Sequence, residues 1–124
     1  RSSLFDSLYS KQMNHQLVPL LESTQNKTQL FLSGIRIRRM KTRWGSCNPK
    51  SRRITLNLAL AELPVECLGY VLTHELLHIK VPNHGPDFIE LMEKHEPRWR
   101  EIDAFMSKPM GTLKSPFESN SVNQ

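Results

Sequence analysis

Apolar residues change their spacing several times along this chain, and each change marks an element. From Ser3 to Gln25, Leu4, Leu8, Tyr9, Leu17, Leu20 and Leu21 recur at intervals compatible with one helical face, and Pro19 is expected to kink or divide that helix. Asn26 to Ser33 mixes turn residues with a short apolar patch, and Gly34 punctuates the chain. Ile35 and Ile37 then alternate with Arg36 and Arg38, which predicts a strand over Ile35 to Trp44. Asn48-Pro49-Lys50-Ser51 reads as a turn. Ile54, Leu56, Leu58 and Leu60 alternate with Thr55, Asn57 and Ala59 in a second strand, and the two strands are expected to pair as an antiparallel hairpin.

The period then becomes helical. Pro64 suits a first helical position, Glu66 complements the positive end of the helix dipole, and the helix is expected to run to about Val81, where Pro82 stops it. Val65, Leu68, Leu72, Leu76 and Ile79 fall on one apolar stripe. Pro86 opens a further helix carrying Phe88, Leu91, Met92 and His95, and Pro97 starts a short one ending near Met106. Residues 1–106 therefore read as one domain, and 107–124, with Pro109, Gly111 and Pro116, as an extended polar tail. A chain of 124 residues, 38% of them apolar, suits a single hydrophobic core. No run approaches the roughly 18 apolar residues of a membrane span, and no signal-peptide pattern appears. Two cysteines make no disulfide scaffold, so a cytoplasmic setting is expected and a membrane partner is not. The chain begins on Arg1 rather than Met, which leaves an upstream segment open.

The densest chemistry lies in the first of these C-terminal helices. His74-Glu75-Leu76-Leu77-His78 is an HExxH sequence, predicted to lie mid-helix. Residues i and i+4 lie about 40° apart around a helix axis and about 6 Å along it, so two imidazoles can bind one tetrahedral Zn2+ at about 2.0–2.1 Å. Glu75 flanks the same face, close enough to reach a metal-bound water without ligating the metal. Zinc lowers the pKa of such a water towards about 7, and the carboxylate can take its proton and pass it to a leaving amine. The apolar stripe lies opposite the two histidines, which turns the site towards a cleft. Catalytic zinc needs a third protein ligand and an open fourth position. His84, six residues after His78 and just past the Pro82 break, is the first candidate, with Glu90 or Glu93 on the next helix as alternatives. His95 shares the apolar face of Phe88 and Leu91 and reads as packing, or as hydrogen bonding behind the ligands.

Four stretches together resemble a known family: Arg43-Trp44-Gly45-Ser46-Cys47, Ile54-Thr55-Leu56-Asn57, Tyr70 to His78, and Asn83-His84-Gly85-Pro86-Asp87-Phe88. They are similar to the YgjP-like metallopeptidase domain over roughly Gly34 to Met106, and more distantly to the Wss/SprT-type proteases that act on DNA–protein crosslinks. The resemblance implies a compact α+β zincin-like domain, a small antiparallel sheet packed against the HExxH helix and further helices. It also implies His74, His78 and His84 as zinc ligands and Glu75 as the catalytic residue. Family members usually carry more chain before the first strand, and many have a tryptophan after the residue matching Phe88, where this chain has Ile89. Val81 stands where a metzincin would have glycine, which argues against that class.

The expected function is thus a zinc metalloendopeptidase acting on peptide or protein substrates, with its oligomeric state left open. Two other readings attach to the basic run Arg36, Arg38, Arg39, Lys41, Arg43, Lys50, Arg52 and Arg53, in a chain of net charge +5. One is a nucleic-acid-binding module with a structural metal; the other is a DNA-stimulated protease acting on DNA-bound proteins. Trp44, Gly45 and Ser46 suit either a strand that pairs with an extended peptide or simple packing and turning. Cys47 reads first as a buried small hydrophobe and second as a redox-sensitive thiol. Arg43, Tyr70 and His95 are candidates for stabilising a transition-state oxyanion.

Overall fold

A computed structural model describes residues 4–107 and 115–117. Its first element, α1, is a single helix over Leu4–Thr28, with Pro19 inside it. Pro19 is exposed, so the carbonyl that loses its amide partner can be hydrated, and the helix runs on without dividing. Met13, Leu17 and Thr24 are its buried residues, one narrow stripe at spacings of four and seven. The helix ends where Gln29 takes a left-handed φ of 59° and Gln25 Oε1 accepts from the Leu32 amide at 2.9 Å. Through its stripe α1 packs on α2 (Val65–Leu77) and on a short 3-10 turn over Leu58–Glu62, where Gln12 donates to the Ala61 carbonyl at 3.1 Å.

Three strands follow α1: β1 over Gly34–Arg38, β2 over Gly45–Asn48 and β3 over Arg53–Asn57. Their order is β1-β3-β2, with β1 parallel and β2 antiparallel to β3. The hairpin exists, but its first strand is Gly45–Asn48 and not Ile35–Trp44, so the small sheet is mixed and not purely antiparallel. The expected long strand is cut at Arg38 because residues 39–44 must carry the chain from one sheet edge to the other while β3 enters between. Buried Asn57 holds that connection in place. Its side-chain amide donates to the carbonyls of Met40 and Arg43 at 3.0 and 2.7 Å, and its Oδ1 accepts from Ala59, starting the 3-10 turn that ends the strand early. At the hairpin, Asn48 Oδ1 accepts the Lys50 and Ser51 amides, and Arg52 takes a φ of 64°. The register places Ile35, Ile37, Ile54, Leu56 and Cys47 on one face, and Arg36, Arg53, Thr55, Ser46 and Asn48 on the other.

Helix α2 is the centre of the molecule. From Cys67 to Leu77 every residue except Gly69 is buried, so the helix has no solvated face, unlike the one-sided stripe expected from its spacing. It packs against α1, the sheet, α3 (Pro86–His95) and α4 (Trp99–Met106). It also stops earlier than its apolar pattern suggested. After Leu77 the chain turns through His78, Ile79 and Lys80, with the Lys80 amide on the Leu77 carbonyl at 3.0 Å, and Pro82 prevents resumption. The HExxH sequence therefore closes the helix instead of occupying its middle. Phe88 and Met92 on α3, and Trp99, Ile102 and Met106 on α4, complete the core. No helix among the described residues is long and apolar enough to cross a membrane.

Since Met13 is fully buried where the long first helix meets the core, Met13→Ala should lower stability by about 2–5 kcal/mol in denaturant unfolding. An effect below about 1 kcal/mol would show that α1 packs loosely.

Candidate metal centre

The early end of α2 sets the geometry of the site. His74 lies in its last turn and His78 caps it, one turn apart and both buried, with ring centres 4.8 Å apart. The chain reverses through Pro82-Asn83 and brings His84 back, with its ring centre 4.9 Å from each of the other two. The potential ligand nitrogens of the three all lie within 4.8 Å of one another, a group able to hold a metal ion. The Nε2 atoms of His78 and His84 are 3.0 Å apart. Nitrogens about 2.0–2.1 Å from a tetrahedral zinc would sit about 3.3 Å apart, so a small widening accommodates the ion. Nδ1 of His78 is 3.0 Å from the Val81 carbonyl oxygen, to which it donates in the tautomer that leaves the Nε2 lone pair facing the cluster.

Burial also favours ligation. Desolvation, then the neighbouring imidazoles His74 and His78, push His84 down to about 4, against weaker opposition from Glu75 and the Phe117 backbone. Desolvation lowers His78 as well. Both rings are thus held neutral, the form that binds a metal. Glu75, only 1% exposed, has Oε2 3.5 Å from Nδ1 of His74. Its room depends on Gly45: a Cβ there would come within 2.9 Å of a Val71 methyl and 3.2 Å of Glu75 Oε2. The start of β2 is therefore pressed against the Glu75 side chain, which only a residue without a side chain permits.

The other candidates fall outside this cluster. Glu90 is exposed, and Glu93 accepts hydrogen bonds from Trp99 Nε1 at 3.1 Å and from Arg100 at 2.8 Å. Buried His95 is lowered by desolvation, then by Lys94, Lys27 and Lys80, and it is not part of the three-histidine group. The Tyr70 hydroxyl donates to Asp103 at 2.8 Å, and burial with that carboxylate raises its pKa, so it is fixed as a neutral anchor between α2 and α4. Arg43 lines a cavity of about 440 Å³ with Arg36, Ser46, Asn48, Arg53 and Thr55. Burial and then Glu75 push the Cys47 thiol up to about 12, which supports the small-hydrophobe reading and not the reactive one. Trp44 is 3% exposed and packs in the core.

Aromatic rings around the cluster were not anticipated. Phe88 stacks on His78 at 4.6 Å, and Phe117, from the stretch read as a polar tail, lies 4.9 Å from His74 and 4.8 Å from His84. The only sequence signal for the latter is an apolar Pro116-Phe117 pair inside a polar segment.

A family profile described as YgjP-like, metallopeptidase domain, matches residues 1–108. Solved structures that share the fold include two metallopeptidase zymogens. One is the metallopeptidase zymogen of Pyrococcus abyssi abylysin, with TM-score 0.66 and 31% identity, covering 77% of this chain and 96% of that one. The other is the metallopeptidase zymogen of Methanocaldococcus jannaschii jannalysin, with TM-score 0.61 and 26% identity, covering 71% of this chain and 90% of that one. No curated protein matches the chain.

In metal-free protein the lowered His78 and His84 make stability depend on pH. They stay neutral when folded but protonate in the unfolded chain below its ordinary value of about 6.5, so the unfolded state binds more protons there. Their contribution is fully present above about pH 6.5 and is lost as pH falls towards the His84 value of about 4. Thermal unfolding of chelator-treated protein between pH 7.5 and 4.5 should show a falling Tm, and replacing His84 by Gln should flatten the decline. A decline of equal steepness in the variant would remove His84 as its source.

Proposed function

Because the chain belongs to the YgjP-like metallopeptidase family, we propose that it hydrolyses internal peptide bonds of protein or peptide substrates at a zinc ion held by His74, His78 and His84, with Glu75 as general base. The observation that carries this reading is the convergence of three buried or half-buried imidazoles beside a buried carboxylate. Imidazole donors suit zinc, and three protein ligands leave one position for water or substrate. When bound, the metal supplies Lewis-acid activation of water and of the scissile carbonyl. Glu75 takes the water's proton on its carboxylate and returns it to the leaving amine. His78, braced by Val81 and stacked on Phe88, keeps its ring plane fixed during these transfers. The outer edge of β2 has no strand partner among the described residues and begins against Glu75, which supports docking of an extended peptide by added-strand pairing. The free thiols of Cys47 and Cys67 fit a reducing, cytoplasmic setting.

Glu75→Gln keeps size and shape and removes only the proton acceptor. Zinc content should therefore stay near one per chain while peptide turnover falls at least about a hundredfold. His74→Ala, His78→Ala and His84→Ala should each lose zinc, whereas Glu90→Ala and Glu93→Ala should retain it. Near-normal turnover in Glu75→Gln would remove that residue as the base, and loss of zinc there would make it a ligand.

A second reading rests on the cavity of about 440 Å³ lined by Arg36, Arg43 and Arg53. No ion pair is seen for these three among the described residues, and the lining includes no carboxylate. Such a face suits a polyanion, which supports a protease that docks on nucleic acid near its substrates. Single-stranded DNA should then bind with an affinity that falls steeply with salt, and Arg36→Glu with Arg53→Glu should flatten that slope. Absence of binding at low salt would leave an ordinary solvated face.

A further inference from the structure

His74 and His78 are set by a helix, but His84 is not. It sits in the short connection between Pro82 and Pro86, half-buried, where the Gly85 amide donates to Asn83 Oδ1 at 3.2 Å and the Gly85 carbonyl accepts the Ile89 amide at 3.1 Å. Something outside that loop must hold its ring if the three imidazoles are to converge. Phe88, 5.0 Å from the His84 ring, and Phe117, whose backbone and ring both reach it, are in position to do so.

Ring-centre distances fix where Phe117 stands. Phe88 is 4.6 Å from His78 and 5.0 Å from both His74 and His84, so it caps one face of the triangle they form. Phe117 is 4.9 Å from His74, 4.8 Å from His84 and 5.7 Å from Phe88. Two positions satisfy those three distances, and one of them coincides with the ring of His78. The other lies outside the His74–His84 edge, on the Phe88 side of the triangle. Phe117 therefore stands behind the two imidazoles. The opposite face of the triangle, which Phe88 leaves uncovered, is clear of the Phe117 ring centre.

The ring is itself held from behind. Trp99 packs on it at 4.8 Å, and the indole is oriented by its hydrogen bond to Glu93 and by Arg100 over its face. Ser115, only 2% exposed, and buried Pro116 anchor the backbone leading into Phe117. A continuous row thus runs from α3 and α4 through Trp99 and Phe117 to His84. We propose that Phe117 is a positioning residue for the metal centre: the segment 115–117 is a built part of the site that fixes His84 in ligating geometry and so sets metal affinity. This rests on the three-histidine reading given above.

The test compares zinc affinity, by chelator competition, and the visible spectrum of the cobalt-loaded full-length protein. Groups that orient metal ligands typically change affinity by 10- to 100-fold when removed. Phe117→Ala should weaken zinc by at least about tenfold and shift the cobalt bands, with chelator-treated protein still unfolding cooperatively. Phe117→Tyr, which keeps the ring, should restore affinity to within about threefold of the original. Phe117→Leu serves if the alanine variant does not fold, and it should lie between the two. Unchanged affinity and spectrum in Phe117→Ala or Phe117→Leu would overturn the proposal. So would peptide turnover that rises with zinc affinity intact, because the ring would then be an obstruction and not a brace. His84→Ala is the control: if it leaves zinc affinity unchanged, the three-histidine site fails, whereas a loss there with none at Phe117 refutes the positioning role alone.

Discussion

The close approach of β2 to α2 at Gly45 is the contact on which the site depends. A buried carboxylate at Glu75 is costly unless its surroundings are both tight and polar, because a desolvated charge without compensation costs several kcal/mol. The strand presses on the Glu75 side chain from one side, and His74 stands 3.5 Å away on the other. With no room to turn into solvent, the carboxylate is confined to the neighbourhood of the histidines. Any side chain at position 45 would have to displace Val71 or Glu75 itself, moving the chemistry along with the packing. The rest of the sheet can be understood as the means of delivering Gly45 there. Asn57 fixes the 39–44 connection, β3 fixes β2 by pairing, and the Asn48 turn fixes the register between them.

Local signals in the chain proved readable where short-range physics decides the outcome. Proline and apolar spacing set the starts of α2 and α3, and the alternation in β3 set which residues face the core. What local spacing does not carry is partner choice. Ile35 and Ile37 alternate equally well whether their strand pairs parallel or antiparallel, and the choice rests on a buried asparagine twenty or more positions downstream capturing the carbonyls of the connection. Pro19 shows the converse. Its helix-breaking tendency is real, but an exposed position lets the orphaned carbonyl be solvated, so the penalty stays below what dividing a helix would require.

The site divides in the same way. His74, Glu75 and His78 are legible because one helical turn fixes their relation, and His84 follows from the short reach left after a proline stop. Tyr70 was open as a candidate for oxyanion work until Asp103, thirty-three residues away, was seen to accept its hydroxyl hydrogen at 2.8 Å. Phe117 is more distant still, and only Pro116 beside it breaks a polar stretch of sequence. Contacts of this kind join residues far apart in the chain, which no periodicity encodes.

The two faces of the small sheet separate two kinds of chemistry. Strand alternation sends Cys47, Ile54 and Leu56 towards α2, where desolvation keeps histidines neutral and a thiol protonated. The same alternation sends Arg36, Arg53 and Thr55 to the opposite side, into water, where arginines keep their charge at little cost. A one-residue slip of β3 would turn Arg53 and Thr55 towards the apolar side and Ile54 and Leu56 into water, so an arginine would lose its hydration. Register here is therefore specified by electrostatics as well as by hydrophobic burial. The fold thus keeps these arginines on one face of the small sheet and the three-histidine group beyond the other.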